Sequence, residues 1–221
     1  MSPNALKKIS FRKELLRKLV HLMELPVLIV YSVLRSTFGD KVGSLALTLM
    51  LIILLELEYI RLEYKLELPK AIDILRRHER DNLSGSIFFI AGTIIAFAAY
   101  DFPIALLALL MTVFGDLMSA LVGMKFGRYH VYKKKTLEGF LAGLVTNLFI
   151  GSLFMPEYIG VFASMAIVAS VVELFTGKLD DNLTVPLSAG FAGQVMVFLF
   201  QLKIADFPSP VIQNLFKFFG F

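Results

Sequence analysis

The residues best suited to chemistry form a polar string within a very apolar sequence, whose mean hydropathy is +0.74. The string begins with Gly115-Asp116, continues through Gly127-Arg128, and ends with the run from Lys133 to Gly139, which reads KKKTLEG. Glycines allow close backbone approach to a ligand, and cations at a helix start favour phosphate groups. We therefore expect this string to hold an anionic, phosphate-bearing ligand.

Carboxylates outside the run add to this chemistry. Asp116 falls within a predicted membrane helix, where an ionisable side chain is costly and is functional by default. Glu173 lies near the end of another helix, and Asp180-Asp181-Asn182 follows in a short loop. Together with Glu138 they supply oxygen ligands of the kind that Mg²⁺ takes alongside substrate phosphates. The alternative for Asp180 and Asp181 is a solvated acidic loop.

Small residues recur at four-residue intervals in two consecutive predicted helices. Such strips allow membrane helices to pack closely, and packing is our main interpretation of them. The same strips would also suit a contact between two copies in a homodimer. The two strips are Gly115, Ser119, Gly123 and Gly127, then Gly139, Gly143, Asn147 and Gly151.

Several kinds of site are excluded. The chain has no cysteine, so disulfides and thiolate metal sites are absent. Its three histidines are too dispersed for a zinc motif such as HExxH. A Walker-type phosphate loop and the H-R-D and D-F-G strings of protein kinases are also missing. Phosphoryl chemistry here would need a different scaffold.

Apolar stretches that approach the length of a bilayer predict an all-α integral membrane protein with about seven transmembrane helices. We expect one polytopic domain over residues 1–221, with a basic N-terminal segment at 1–19 and an interfacial C-terminal tail at 204–221. The predicted helices cover about 20–37, 43–60, 84–100, 103–124, 138–155, 158–176 and 185–203.

Most of the 22 lysines and arginines fall on one side of these helices, which predicts a cytoplasmic N-terminus and an external C-terminus. Helices 1, 3, 5 and 7 then begin on the cytoplasmic side, and helix N-termini favour phosphate. We expect Thr136 to cap the fifth helix, and Thr184 with Pro186 to begin the seventh.

Four polar residues near the first and third helices are accessory candidates. Lys18 and His21 are i, i+3 neighbours, although a lone interfacial histidine is more often structural than catalytic. Arg77 and Ser84 precede the third helix, in a segment that is either a phosphate-binding corner or an amphipathic surface loop.

These motifs resemble the polyprenol kinase family, which includes dolichol, phytol and farnesol kinases and a CTP-dependent diacylglycerol kinase. Two departures are Ser119, where the family pattern has alanine, and a short spacing from Gly127 to the lysine run. The resemblance covers most of the chain and rests on Arg17-Lys18-x-x-His21, Leu83-Ser84-Gly85, Gly115-Asp116, Gly123-x-x-x-Gly127, Lys134-Lys135-Thr136-Leu137-Glu138-Gly139, Glu173 and Asp181-Asn182-Leu183-Thr184-Val185-Pro186.

The resemblance implies a CTP-dependent kinase that phosphorylates the hydroxyl of a membrane isoprenoid alcohol, such as dolichol or polyprenol, with Mg²⁺ or another divalent cation. Diacylglycerol or phytol kinase activity is the alternative within the family. A CTP:phosphatidate cytidylyltransferase-like enzyme and a small ion-coupled transporter are alternatives from other classes. We expect a multi-pass protein of the cell membrane, or of the endoplasmic reticulum in a eukaryote. Its active site would face the cytoplasm, and no nucleic acid would bind.

As a hypothesis, Asp116, Glu173 and Asp181 are catalytic, with Glu173 or Asp181 accepting the alcohol proton. Asp116, Glu138 and Asp181 are the predicted metal ligands. The predicted nucleotide-binding residues are Gly123, Gly127, Arg128, Lys134, Lys135, Thr136, Gly139 and Asn182. The accessory set is Lys18, His21, Arg77 and Ser84.

Overall fold

A computed structural model describes residues 18, 21–64, 82–133, 135–177 and 179–205. Within these residues the chain forms seven α-helices and one short antiparallel hairpin, so the helical prediction is confirmed. The chain divides into two compact units, residues 1–91 and 92–221. The elements are α1 (Glu24–Phe38), α2 (Asp40–Glu63), α3 (Gly85–Ala99), α4 (Phe102–Phe126), β1 (His130–Tyr132), β2 (Lys135–Thr136), α5 (Leu137–Phe154), α6 (Ile159–Phe175) and α7 (Asp181–Leu199).

Three of these helices, α4, α5 and α7, are long and apolar enough to cross a membrane. Helices α3 and α6 are apolar but shorter, with 15 and 17 residues. Large apolar side chains such as Phe149 and Phe198 are exposed on the outer surface, where a lipid environment would cover them. The structure therefore supports a helical membrane protein, while seven spans and their orientation stay predictions.

In the first unit, α1 and α2 form a helical pair joined at Gly39. The φ of Gly39 is 89°, a left-handed conformation that glycine adopts without strain. Arg35 Nε and Asp40 Oδ1 lie 2.5 Å apart across this turn. Gly43 lies against the ring of Tyr31, and a Cβ at Gly43 would come within 2.9 Å of Tyr31 Cε2. The tight turn and the missing side chain together let the two helices pack closely.

In the second unit, α4 is the central helix. Its first half is almost continuously buried, with side chains such as Ile104, Leu107 and Met111 nearly inaccessible to solvent. It contacts α5, α6 and α7. Because α4 is surrounded in this way, polar residues in its second half face other helices.

The small-residue strips of α4 and α5 face each other in antiparallel register, so the packing interpretation is confirmed. A Cβ at Gly115 would lie 2.5 Å from Asn147 Oδ1, and one at Gly143 would lie 3.2 Å from Ser119 Cβ. A Cβ at Gly139 would lie 2.7 Å from the Ser119 carbonyl oxygen. The strips are thus used within one chain, and they give no support to a homodimer.

The starts of α5 and α7 show one confirmed prediction and one wrong one. Thr136 caps α5, because its hydroxyl oxygen accepts a hydrogen bond from the Gly139 N–H at 3.2 Å. Helix α7 begins four residues earlier than predicted, at Asp181. The reason is that the Asp180 carboxylate accepts the Asn182 N–H at 3.0 Å and caps the helix. Pro186 lies inside the helix, and Thr184 does not begin it.

The hairpin of β1 and β2 was not predicted and adds a small strand element to the expected all-α fold. Its strands have three and two residues, too few for the alternating pattern that reveals a strand in a sequence. Lys133 in the turn has a φ of 51°. The Leu137 N–H donates to the Tyr129 carbonyl oxygen at 2.8 Å and closes the base of the hairpin at the start of α5.

Candidate functional site

A small cavity lies among α4, α5, α6 and α7 of the second unit and has a volume of about 10 Å³, room for about one water molecule. Three of its lining residues are the carboxylates predicted to be catalytic: Asp116 from α4, Glu173 from α6 and Asp181 from α7. Thr112 and Asn147 complete its polar lining. The helix packing therefore brings together acidic residues that lie on three separate helices.

Glu173 is buried and is held from two directions. The Ser119 hydroxyl of α4 donates to Glu173 Oε1 at 2.8 Å. Lys135 Nζ of β2 lies 3.4 Å from the same oxygen and also donates to the Glu173 backbone carbonyl. A buried charge needs such partners to offset its lost hydration. The pair of contacts fixes the carboxylate at the cavity wall.

The hairpin lies against the end of α6, which is why Lys135 reaches Glu173. Lys133 Nζ donates to the Gly177 carbonyl oxygen at 3.0 Å. The rings of Tyr132 and Phe175 pack with their centroids 5.9 Å apart. These contacts place Lys133 and Lys135 at the end of the unit where α6 ends and α7 begins.

Glu138 lies apart from the other acidic residues. Its two carboxylate oxygens accept the Tyr129 N–H at 3.3 Å, and it does not line the cavity. Within the described part of the chain, no group of three acidic, histidine or cysteine side chains is placed to hold a metal ion. The predicted set of Asp116, Glu138 and Asp181 is therefore not assembled, because Glu138 is engaged at the base of the hairpin.

Packing accounts for four of the predicted nucleotide-binding residues. A Cβ at Gly123 would lie 3.1 Å from Thr136 Oγ1, and one at Gly127 would lie 2.8 Å from the same atom. Gly139 is equally close to α4, so all of these residues belong to the contact between α4 and the start of α5. Their contact with a nucleotide stays a prediction.

The other predicted nucleotide contacts are dispersed. Arg128 is exposed just before the hairpin, and Asn182 is buried in the first turn of α7. Lys135 is the member of the set that reaches the cavity wall, through Glu173. Lys134 lies outside the described residues.

The accessory candidates of the described chain belong to the first unit. Lys18 is buried, with 2% of its surface exposed. His21 Nδ1 lies 2.9 Å from Glu24 Oε1, which is the structural pairing that a lone histidine commonly makes. The Ser84 carbonyl oxygen accepts the Ile87 N–H at the start of α3. Arg77 lies outside the described residues.

Two residues at the cavity were missed as site candidates. Thr112 lies one turn before Asp116, and its hydroxyl donates to the Ala108 carbonyl at 2.8 Å. Asn147 was assigned to the packing strip of α5, although it is the one polar amide in a row of glycines. The spacing of Thr112 from Asp116 and the chemistry of Asn147 were the signals available in the sequence.

Comparisons with known proteins give two relatives. No family model and no solved structure matches the chain. An uncharacterized protein of Methanocaldococcus jannaschii is 27% identical over 182 residues, which are 81% of this chain and 92% of that protein. The phytol kinase of Synechocystis sp. is 29% identical over 141 residues, 58% of this chain. The match spans 59% of that kinase.

Proposed function

We propose that this protein is a membrane kinase that transfers a phosphoryl group from CTP to the hydroxyl of an isoprenoid alcohol of the dolichol or polyprenol type. One observation carries the proposal: carboxylates from three helices line a single cavity, with a lysine beside one of them. The relationship to phytol kinase agrees with a lipid alcohol as acceptor.

In the proposed reaction the alcohol oxygen attacks the terminal phosphorus of CTP. A new oxygen–phosphorus bond forms, the bond to the bridging oxygen breaks, and CDP leaves. The alcohol proton passes to a carboxylate, for which Glu173 and Asp181 are the alternatives. Because such a reaction depends on positioning and on neutralising charge, fixed polar groups at a dry site suit it. The contacts of Ser119 and Lys135 supply that fixation for Glu173.

The oxygen donors of the cavity fit a hard divalent cation such as Mg²⁺. Asp116 and Asp181 would hold it, since Mg²⁺ commonly binds one or two carboxylates and completes its shell with waters and phosphate oxygens. When bound, the cation would neutralise the negative charge of the transferred group. Glu138 has no part in this revised set, because its carboxylate is bound to the Tyr129 N–H.

The nucleotide would lie mainly outside the cavity. The cavity volume of about 10 Å³ is far below the roughly 300–1,000 Å³ of typical ligand pockets. The terminal phosphate would therefore lie at the mouth of the cavity, and the remainder of CTP would lie along the hairpin. Lys135, Lys134, Arg128 and the N-terminus of α5 would bind its phosphates there.

The hairpin end of the second unit would face the cytoplasm, within a protein of seven spans. The end of α4, the hairpin and the start of α5 are consecutive, and Lys133 and Lys135 bind them to the end of α6. This end gathers cations, which agrees with the positive-inside rule. CTP would then reach the site from water, and the lipid alcohol from the headgroup level.

A phosphoryl-transfer assay in detergent tests the function. Purified protein is given each of the four nucleoside triphosphates, labelled at the γ-position, with Mg²⁺. The acceptors are dolichol, geranylgeraniol, phytol and diacylglycerol. We expect label in an isoprenoid monophosphate, with CTP as the preferred donor. Labelled phosphatidate would redirect the substrate to diacylglycerol, and no labelled lipid from any pair would contradict the kinase.

A further inference from the structure

Asn147 lines the cavity and has a buried amide oxygen. It is 2% exposed, and its Nδ2 donates to the Ser170 hydroxyl oxygen of α6 at 3.1 Å. Its Oδ1 has no hydrogen-bond partner among the residues that the structure describes. Buried polar atoms are nearly always hydrogen-bonded, and each exception calls for an explanation. At a cavity wall, a bound ligand is a natural explanation.

The Asn147 amide is contacted from two neighbouring helices. Ser170 accepts one end of the amide. Gly115 of α4 lies against the whole amide group, so close that a Cβ there would be 2.5 Å from Oδ1 and 2.9 Å from Nδ2. A group fixed from two helices is already positioned for a ligand, and fixed geometry reduces the entropy lost on binding.

The surroundings of this oxygen select the kind of ligand. Met111, Ala169 and Val185 form the apolar lining of the cavity, while Asp116 and the other carboxylates form its acidic lining. Asn147 contacts Gly115, and both residues line the same cavity as these apolar and acidic side chains. An amide oxygen accepts hydrogen bonds, so an ionised phosphate, which has no proton to donate, does not match it. A lipid hydroxyl matches the amide oxygen as a hydrogen-bond donor, and it is small enough for a cavity of about 10 Å³ if the hydrocarbon chain lies outside.

We propose that Asn147 binds the alcohol hydroxyl of the lipid substrate, its Oδ1 accepting the hydroxyl's hydrogen bond. This inference rests on the proposed function and adds a residue that determines specificity. It distinguishes an alcohol from a hydrocarbon, because only the alcohol satisfies the buried oxygen. It also distinguishes substrate from product, because phosphorylation removes the proton that Asn147 accepts.

Equilibrium binding tests the inference without catalysis. The purified full chain in detergent, with a chelator and no nucleotide, is given labelled geranylgeraniol or the same hydrocarbon without its hydroxyl. The wild type should prefer the alcohol by about 10-fold or more, since a site built for a hydroxyl rejects the analogue that lacks it. Asn147→Leu, which is nearly isosteric, should bind the two equally while keeping the wild-type affinity for the hydrocarbon.

Two further variants complete the design. Thr146→Val, on the same helix but outside the cavity lining, should keep the wild-type preference. Asn147→Ala replaces Asn147→Leu if the leucine variant does not fold. Retained preference for the alcohol in a folded Asn147 variant would overturn the inference. If the same variant also bound Mg²⁺ more weakly than the wild type, the Asn147 oxygen would be a cation ligand instead.

The inference and the proposed function fail separately. A wild type that binds the alcohol through Asn147 but transfers no phosphoryl group retains the inference and loses the kinase. A wild type that phosphorylates the alcohol, with an Asn147→Leu variant of unchanged KM for the lipid, retains the kinase and loses the inference.

Discussion

Ser119 of α4 donates its hydroxyl to the Glu173 carboxylate of α6 at 2.8 Å, which joins two residues 54 positions apart. The same carboxylate oxygen lies 3.4 Å from Lys135 Nζ of the hairpin. Three elements therefore meet at one buried acidic group, at the wall of the cavity. The proposed chemistry depends on this arrangement, and several consequences of it are measurable.

Replacing Asp116 with asparagine should lower turnover by about 1,000-fold or more, since it removes a charge proposed to neutralise the transferred group through Mg²⁺. The initial rate of lipid phosphorylation measures the effect. The matched control is Asp101→Asn, which changes an exposed carboxylate at the start of the same helix. Substantial turnover by a folded Asp116→Asn protein would rule out the metal role.

Ser119→Ala should lower the free energy of unfolding by about 1–3 kcal/mol, because it removes a hydrogen bond to a buried carboxylate. Thermal unfolding in detergent measures the change. Activity should fall but persist, since Lys135 still contacts Glu173 and the family pattern that this chain resembles has alanine at position 119. Ser164→Ala, whose hydroxyl bonds only within its own helix, serves as the control with little change. Equal melting temperatures for Ser119→Ala and the wild type would mean that the bond contributes nothing.

Lys135→Met should raise the KM for CTP by about 10-fold and lower kcat, because one cation is lost from the phosphate path and Glu173 loses its cationic partner. Lys133→Met removes a neighbouring cation that contacts the Gly177 carbonyl instead. Its effect should stay within about threefold. Steady-state kinetics with CTP varied at saturating lipid separate the two variants. Equal effects of both would indicate that hairpin charge matters without the specific contact to Glu173.

Gly139→Ala should destabilise the protein by about 1–3 kcal/mol, because the new Cβ would lie 2.7 Å from the Ser119 carbonyl oxygen in α4. Gly160→Ala is the matched control. A Cβ at Gly160 would meet only the flexible end of Met196 at 3.4 Å, and alanine favours the helix. We expect the control to be neutral or slightly stabilising. Chemical unfolding of both variants decides whether the strips serve packing, and equal stability would contradict it.

Much of the fold could be predicted because its signals are local. Apolar runs predicted the helices, and a threonine before one such run predicted the N-cap of α5. The four-residue spacing of small residues predicted the close contact between α4 and α5. The start of α7 was placed too late because Thr184 and Pro186 also suit a helix start. Asp180 precedes both residues in the chain and caps the helix, so the helix begins at Asp181.

The site was less predictable because its relationships are not local. The three acidic residues of the cavity were identified by their chemistry, but which of them meet depends on how α4, α6 and α7 pack. Glu138 was placed with them because it belongs to the same motif as Lys135, whereas its carboxylate turns to the Tyr129 N–H. Asn147 was assigned to packing, since spacing alone does not reveal an oxygen left without a hydrogen bond.

A double-label experiment tests directly whether the protein transfers the γ-phosphoryl group of CTP to a lipid alcohol. CTP labelled in its α- or its γ-phosphate is incubated with the purified protein, Mg²⁺ and an isoprenoid alcohol, and the lipid fraction is counted. We expect γ-label and no α-label in the lipid, with CDP released. Label from the α-phosphate in a CDP-lipid would indicate cytidylyl transfer instead. Lipid without either label, from folded protein and across the panel of alcohols, would contradict the kinase.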